Sequence, residues 1–120
     1  MQNFSDQRES KRVPVEFKVD FLKEGNFLFE NATNISEHGI FLETDQPMEL
    51  GTVVHLKFTL PDSGVEIEAR AEVMWINPVK ENAKKNYHPG MGLKFVQLSD
   101  LDRQSILAVI KKLALLESMS

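Results

Sequence analysis

Arg8 and Arg12 stand four apart in the polar stretch RESKR at residues 8–12, and Asn34, Ser36 and Gly39 follow in NISEHG at 34–39. An arginine guanidinium grips phosphate through two parallel hydrogen bonds, and it also stacks on guanine or bonds to its edge. Asparagine brings two donors and an acceptor, and serine a rotatable hydroxyl, a set suited to the edge of a planar heterocycle such as a purine. A glycine leaves room for another group to come close. Two arginines, an Asn/Ser pair and a glycine together have the make-up of a guanine-plus-phosphate site. Each stretch also has a plain reading: a solvated arm of mixed charge, and a strand end running into a turn.

These residues meet only if the chain between them folds back. Residues 13–21, VPVEFKVDF, alternate apolar and polar, which predicts a half-buried strand with Val13, Val15, Phe17, Val19 and Phe21 on one face. KEGN at 23–26 is a turn, and FLFENATNIS at 27–36 is the returning strand of a hairpin. Ile35 belongs inside by its chemistry, so Asn34 and Ser36 are expected side by side on the outer surface, close to the arm that leads into the neighbouring strand. GIFLET at 39–44, VVHLKFTL at 53–60, the run from Val65 to Trp75 and GMGLKFVQL at 90–98 add four more strands. Their inward positions include Val54, Leu56, Phe58, Ile67, Val73, Met91, Leu93 and Phe95, and Trp75 is counted with the core. PDSG at 61–64 is a turn, since proline presets φ and glycine tolerates positive values. Ser99 is a good N-cap for a single helix, with Asp100 and Asp102 in its first turn and an apolar stripe at Ile106, Val109, Ile110, Leu113 and Leu116.

The expected fold class is therefore mainly β, a six-stranded antiparallel β-barrel with a C-terminal α-helix lying against it or over one end. Closure removes exposed sheet edges. The chain reads as one domain, with a flexible arm at 1–12, the barrel at 13–98 and the helix at 99–118.

Charge narrows the function. Residues 16–72 carry four Lys/Arg against twelve Asp/Glu, a net of −8, whereas the arm at 1–12 has Arg8, Lys11 and Arg12 against Asp6 and Glu9. An acidic body opposes broad binding to nucleic acid or to an anionic membrane, while a small anion held locally by the arm remains compatible with it. No apolar run approaches the ~20 residues that span a bilayer, and the N-terminus lacks an apolar signal region, so a cytoplasmic protein is expected. With no cysteine there is no disulfide, thiolate nucleophile or Cys-ligated zinc. His38, His55 and His88 fall on three different elements without metal-ligand spacing, so no metal site is expected. No nucleophile stands beside an oriented base, and there is no P-loop or Rossmann fingerprint, so the chain does not read as an enzyme and no catalytic residue is assigned. The lysines of the loop at 78–89, Lys80, Lys84 and Lys85, read as solvated.

R-x-x-x-R at Arg8 and Arg12, followed by [D/N]-x-S-x-x-G at Asn34, Ser36 and Gly39, resembles the pair of motifs of PilZ domains, and GMGLKF at 90–95 is similar to that family's last barrel strand. The resemblance runs from Arg8 to about Leu116. It implies a six-stranded barrel that binds the bacterial second messenger cyclic di-GMP, with no other cofactor. By the same resemblance Arg8 and Arg12 hold guanine and phosphate, Asn34 and Ser36 fix a guanine, and Gly39 shapes the loop. Family members with a further arginine just before the first often take an intercalated ligand dimer; Gln7 stands there in this chain, which favours one ligand per domain. The implied role is a receptor that passes its bound state to an effector protein, as a monomer or weak homodimer. The alternative is a PilZ-like interaction module that binds a protein and not the nucleotide.

Overall fold

Period-two alternation is what organises the barrel. The computed structural model describes residues 13–23, 26–81 and 87–119. Its strands are β1 (Val13–Lys23), β2 (Asn26–Ile35), β3 (Gly39–Glu43), β4 (Val53–Thr59), β5 (Glu66–Asn77) and β6 (Gly90–Gln97), followed by helix α1 (Asp100–Met119). All neighbouring pairs are antiparallel, and the order β1-β2-β3-β6-β5-β4 closes through pairs such as Val19 with Phe58 and Phe21 with Leu56. In β4, Val54, Leu56 and Phe58 are buried while His55, Lys57 and Thr59 face solvent. β5 repeats the pattern with Ile67, Ala69, Ala71 and Val73 inside, and β6 with Met91, Leu93 and Phe95. Val15, Phe17, Val19 and Phe21 line the β1 wall, where the rings of Phe17 and Phe58 meet at 5.4 Å.

Antiparallel order sends the connections to two opposite ends. The start of β1, the β2–β3 turn, the β4–β5 turn and the close of β6 share one end, and α1 leaves β6 there. Ser99 caps the helix as expected: its hydroxyl accepts from the Asp102 amide at 3.1 Å. Ile106, Val109 and Ile110 are buried against the barrel and Leu113 is packed beside them. Full burial of three such side chains contributes roughly 5–9 kcal/mol to seating the helix. The expected stripe ends one residue early, because Leu116 is exposed. At the opposite end Met48, in the β3–β4 connection, is buried against the core.

The assignment of Trp75 to the core is overturned. Val73 pairs with Leu93 and Trp75 with Gly92, so one extra residue, Met74, interrupts the β5–β6 register. The bulge breaks the alternation. Met74 and Trp75 are consequently both exposed, Trp75 by 41%.

Candidate functional site

The same bulge builds a surface. Along β3, Ile40 and Leu42 belong to the core cluster, which leaves Phe41 on the outer face. Phe41 is nevertheless 6% exposed, because Trp75 stacks beside it with ring centroids 6.4 Å apart and planes inclined by 24°. The indole lies on bare backbone: a side chain at Gly92 would place its Cβ 2.1 Å from the Trp75 ring. Register then carries this aromatic pair toward the N-terminus. Trp75 faces Gly92, Gly92 faces Phe41, Phe41 faces Asn34, and Asn34 faces Pro14. With strands ~4.8 Å apart, Asn34 and Trp75 sit at the ends of a row about 14 Å long. Pro14 extends the row to the point where the chain emerges from the arm.

Asn34 is half-buried on this outer face, as its place in β2 requires. A second irregularity helps it there. Ala32 pairs with Leu42 and Asn34 with Phe41, so Thr33 is an extra residue that lets both Ala32 and Ile35 point inward.

Ser36 does not stand beside Asn34. It is fully buried, and the expectation that it lies on the outer surface is overturned. β2 ends at Ile35, so strand alternation does not extend to Ser36. The chain turns over Glu37 and His38, closed by the Ser36 amide donating to the Gly39 carbonyl at 2.9 Å. Inside the turn the Ser36 hydroxyl accepts from the His38 amide at 3.2 Å and points at the Gly39 carbonyl at 3.4 Å. The hydroxyl shapes the turn from within. Gly39 is explained by β6: its added Cβ would lie 2.0 Å from the Leu93 carbonyl oxygen. The close approach anticipated at this glycine is thus made by the barrel's own backbone. The Phe95 amide extends that contact by donating to the His38 carbonyl at 2.8 Å.

Arg8 and Arg12 lie outside the described residues. Of the other expected site residues, the structure gathers Asn34, Ser36 and Gly39 within one strand end and its turn, and only Asn34 lies on the face that holds Phe41 and Trp75.

Several polar groups near this face are paired. His88 Nδ1 meets Glu43 Oε2 at 2.8 Å, on the same side of β3 as Phe41. Tyr87 reaches the Pro78 carbonyl, with Lys80 over its ring at 5.0 Å from the centroid. On the far wall His55 meets Glu68 at 3.1 Å. Among the described residues no three His, Asp or Glu side chains gather as metal ligands, and no helix is long and apolar enough to cross a membrane.

The family model described as the PilZ domain matches residues 6–112, nearly the whole chain and both motifs. The chain belongs to the PilZ domain family. PilZ domains are receptor and adaptor modules. The inhibitor of motility MotI/DgrA of Bacillus subtilis has a similar fold, with a TM-score of 0.77 at 22% identity over 96% of this chain. This chain spans about half of that protein, 52% of its length. The PilZ domain of YcgR from Escherichia coli, solved with c-di-GMP, superposes with a TM-score of 0.69 at 18% identity, covering 90% of this chain and 92% of that one. The YcgR complex with c-di-GMP gives 0.71 at 13% identity, covering 94% of this chain and 48% of that protein. No curated protein matches the sequence.

Within this PilZ barrel, Phe41 and Trp75 form an outer aromatic surface that periodicity conceals. Local sequence offers one hint, the glycines on either side of Met91 in GMG at 90–92. Side-chain-free positions on a strand leave space for a ring or another backbone.

Proposed function

We propose that this domain is a cytoplasmic receptor for cyclic di-GMP that signals to a partner protein through its N-terminal arm. The row Pro14–Asn34–Phe41–Gly92–Trp75 carries the reading, because it links the foot of the arm to a hydrogen-bonding side chain and an exposed aromatic plane. Arg8 and Arg12 hold phosphate and a guanine. Asn34 bonds the edge of a guanine, while Ser36 and Gly39 keep the turn in shape. Trp75, backed by Phe41, offers a face on which a base stacks, a contact worth ~1–3 kcal/mol. Binding orders the arm across the outer face, and the partner recognises arm and covered surface together. The cyclic di-GMP-bound YcgR structures, similar in fold, support the choice of ligand.

A calorimetric titration with cyclic di-GMP, with GTP as control, is the primary test. Ligand at 100 times its dissociation constant should stabilise the domain by ~2.7 kcal/mol, raising its melting temperature by roughly 8–15 °C. Amide exchange should slow over residues 6–12 and 34–39 and change little in the 65–73 region. Absence of binding at millimolar cyclic di-GMP refutes the receptor reading and leaves the protein-interaction module.

A further inference from the structure

The turn at Ser36–Gly39 is gripped from the helix as well as from the barrel. Arg103 of α1 donates from Nη1 to the Glu37 carbonyl oxygen at 2.6 Å, joining residues 66 apart in the chain. A guanidinium bonded to a half-buried carbonyl is a charge-assisted contact, stronger than its neutral counterpart. Its place in the helix is unusual. Arg103 sits four residues after the Ser99 cap, its amide making the first bond of the helix to the Ser99 carbonyl at 2.9 Å. That is close to the positive end of the helix dipole, which favours Asp100 and Asp102 and disfavours a cation. Among the described residues no carboxylate pairs with Arg103 to offset this. The contact to Glu37 is the interaction the residue makes in return.

The helix is also tied on the other side of the same barrel end. Lys112 Nζ meets Asp62 in the β4–β5 turn at 2.9 Å, and Ile106, Val109 and Ile110 are buried between the two tethers. A displacement of the 36–39 turn therefore acts on the N-terminal half of α1 through Arg103.

We propose that Arg103 is a positioning residue of the nucleotide site, coupling the shape of the Ser36–Gly39 turn to the seat of α1, so that occupancy of the site is felt by the helix. The proposal rests on the cyclic di-GMP reading above. Coupling of this kind is reciprocal: if the helix anchor favours the binding shape, binding favours the anchor by the same factor.

The test compares the whole chain with Arg103→Ala and Arg103→Lys. Without ligand, Arg103→Ala should speed exchange of the His38 and Phe95 amides, which bond within and onto the turn, while the Val109 and Ile110 amides keep their protection. Arg103→Ala should weaken cyclic di-GMP about 5- to 20-fold, at the lower end of typical coupling between sites. This is less than the loss of a charge-assisted bond to the ligand itself, because Arg103 acts through the turn, and Arg103→Lys should recover most of it. In the parent protein the nucleotide should also slow exchange at residues 101–106, an effect absent from Arg103→Ala. A purely structural role would not create that ligand-dependent difference. The proposal is overturned if folded Arg103→Ala, judged by melting and by near-ultraviolet dichroism of Trp75, keeps parental protection of the turn or parental affinity. If the parent itself does not bind cyclic di-GMP, the receptor reading falls. Loss of turn protection in Arg103→Ala then still supports the coupling of the turn to α1, without a role at a nucleotide site, and unchanged protection overturns that coupling as well.

Discussion

Replacing Gly39 by alanine separates two reasons for a glycine in the second motif. A ligand-facing glycine would lose affinity on substitution while the domain kept its stability. The structure points the other way, because the new methyl would lie 2.0 Å from the Leu93 carbonyl oxygen, 3.0 Å from the Leu93 carbonyl carbon and 3.2 Å from the Lys94 Cα. Carbon and oxygen in such contacts pack at about 3.3 Å or more, so β3 and β6 must part by about 1 Å. All three obstructing atoms are backbone, so no side chain can rotate away. Overpacking of this kind costs ~1–3 kcal/mol. Strain on the neighbouring bond from the Phe95 amide to the His38 carbonyl adds ~1–2 kcal/mol. A total of ~2–5 kcal/mol corresponds to a melting temperature lowered by roughly 6–30 °C. Urea denaturation and calorimetry of Gly39→Ala without ligand provide the measurement. A variant that melts within 2 °C of the parent, taking ~3–6 °C per kcal/mol, would refute the packing argument, and lost affinity in that stable variant would return Gly39 to the ligand.

Ser36→Ala removes a buried hydroxyl and strands the His38 amide, at a cost of ~1–3 kcal/mol; a parental melting curve would show that the turn holds without it. Trp75 is the sole tryptophan, so its fluorescence should change as cyclic di-GMP is titrated, and Trp75→Ala should weaken binding ~5- to 150-fold. Unchanged emission together with unchanged affinity in that variant would remove the aromatic face from the site. Arg12→Ala should weaken binding roughly 30- to 150-fold, from ~2–3 kcal/mol for a charge-assisted bond. Lys57→Ala, which breaks an exposed 3.9 Å pair between β4 and Glu66 of β5, should change affinity little; equal losses in the two variants would reduce the arm to general electrostatics.

Local pattern alone determines much of this molecule. Alternation of apolar and polar residues is a property of the extended backbone, so the inward faces of β4, of β5 as far as Val73, and of β6 follow from residue order. The Ser99 cap and the stripe through Ile106, Val109 and Ile110 are equally local, since both depend on spacing within one helix. The two motifs are legible as residue types in order. What each motif residue does depends on partners distant in the chain. Ser36 turns inward because β2 ends one residue before it, and Trp75 turns outward because β5 takes an extra residue against β6. Gly39 answers to a carbonyl of β6 and Arg103 to a carbonyl of the β2–β3 turn, 54 and 66 residues away respectively. Bulges, strand ends and cross-barrel contacts arise when strands of fixed length must close a ring. No periodicity within a single strand records that constraint, so the tertiary structure alone decides them.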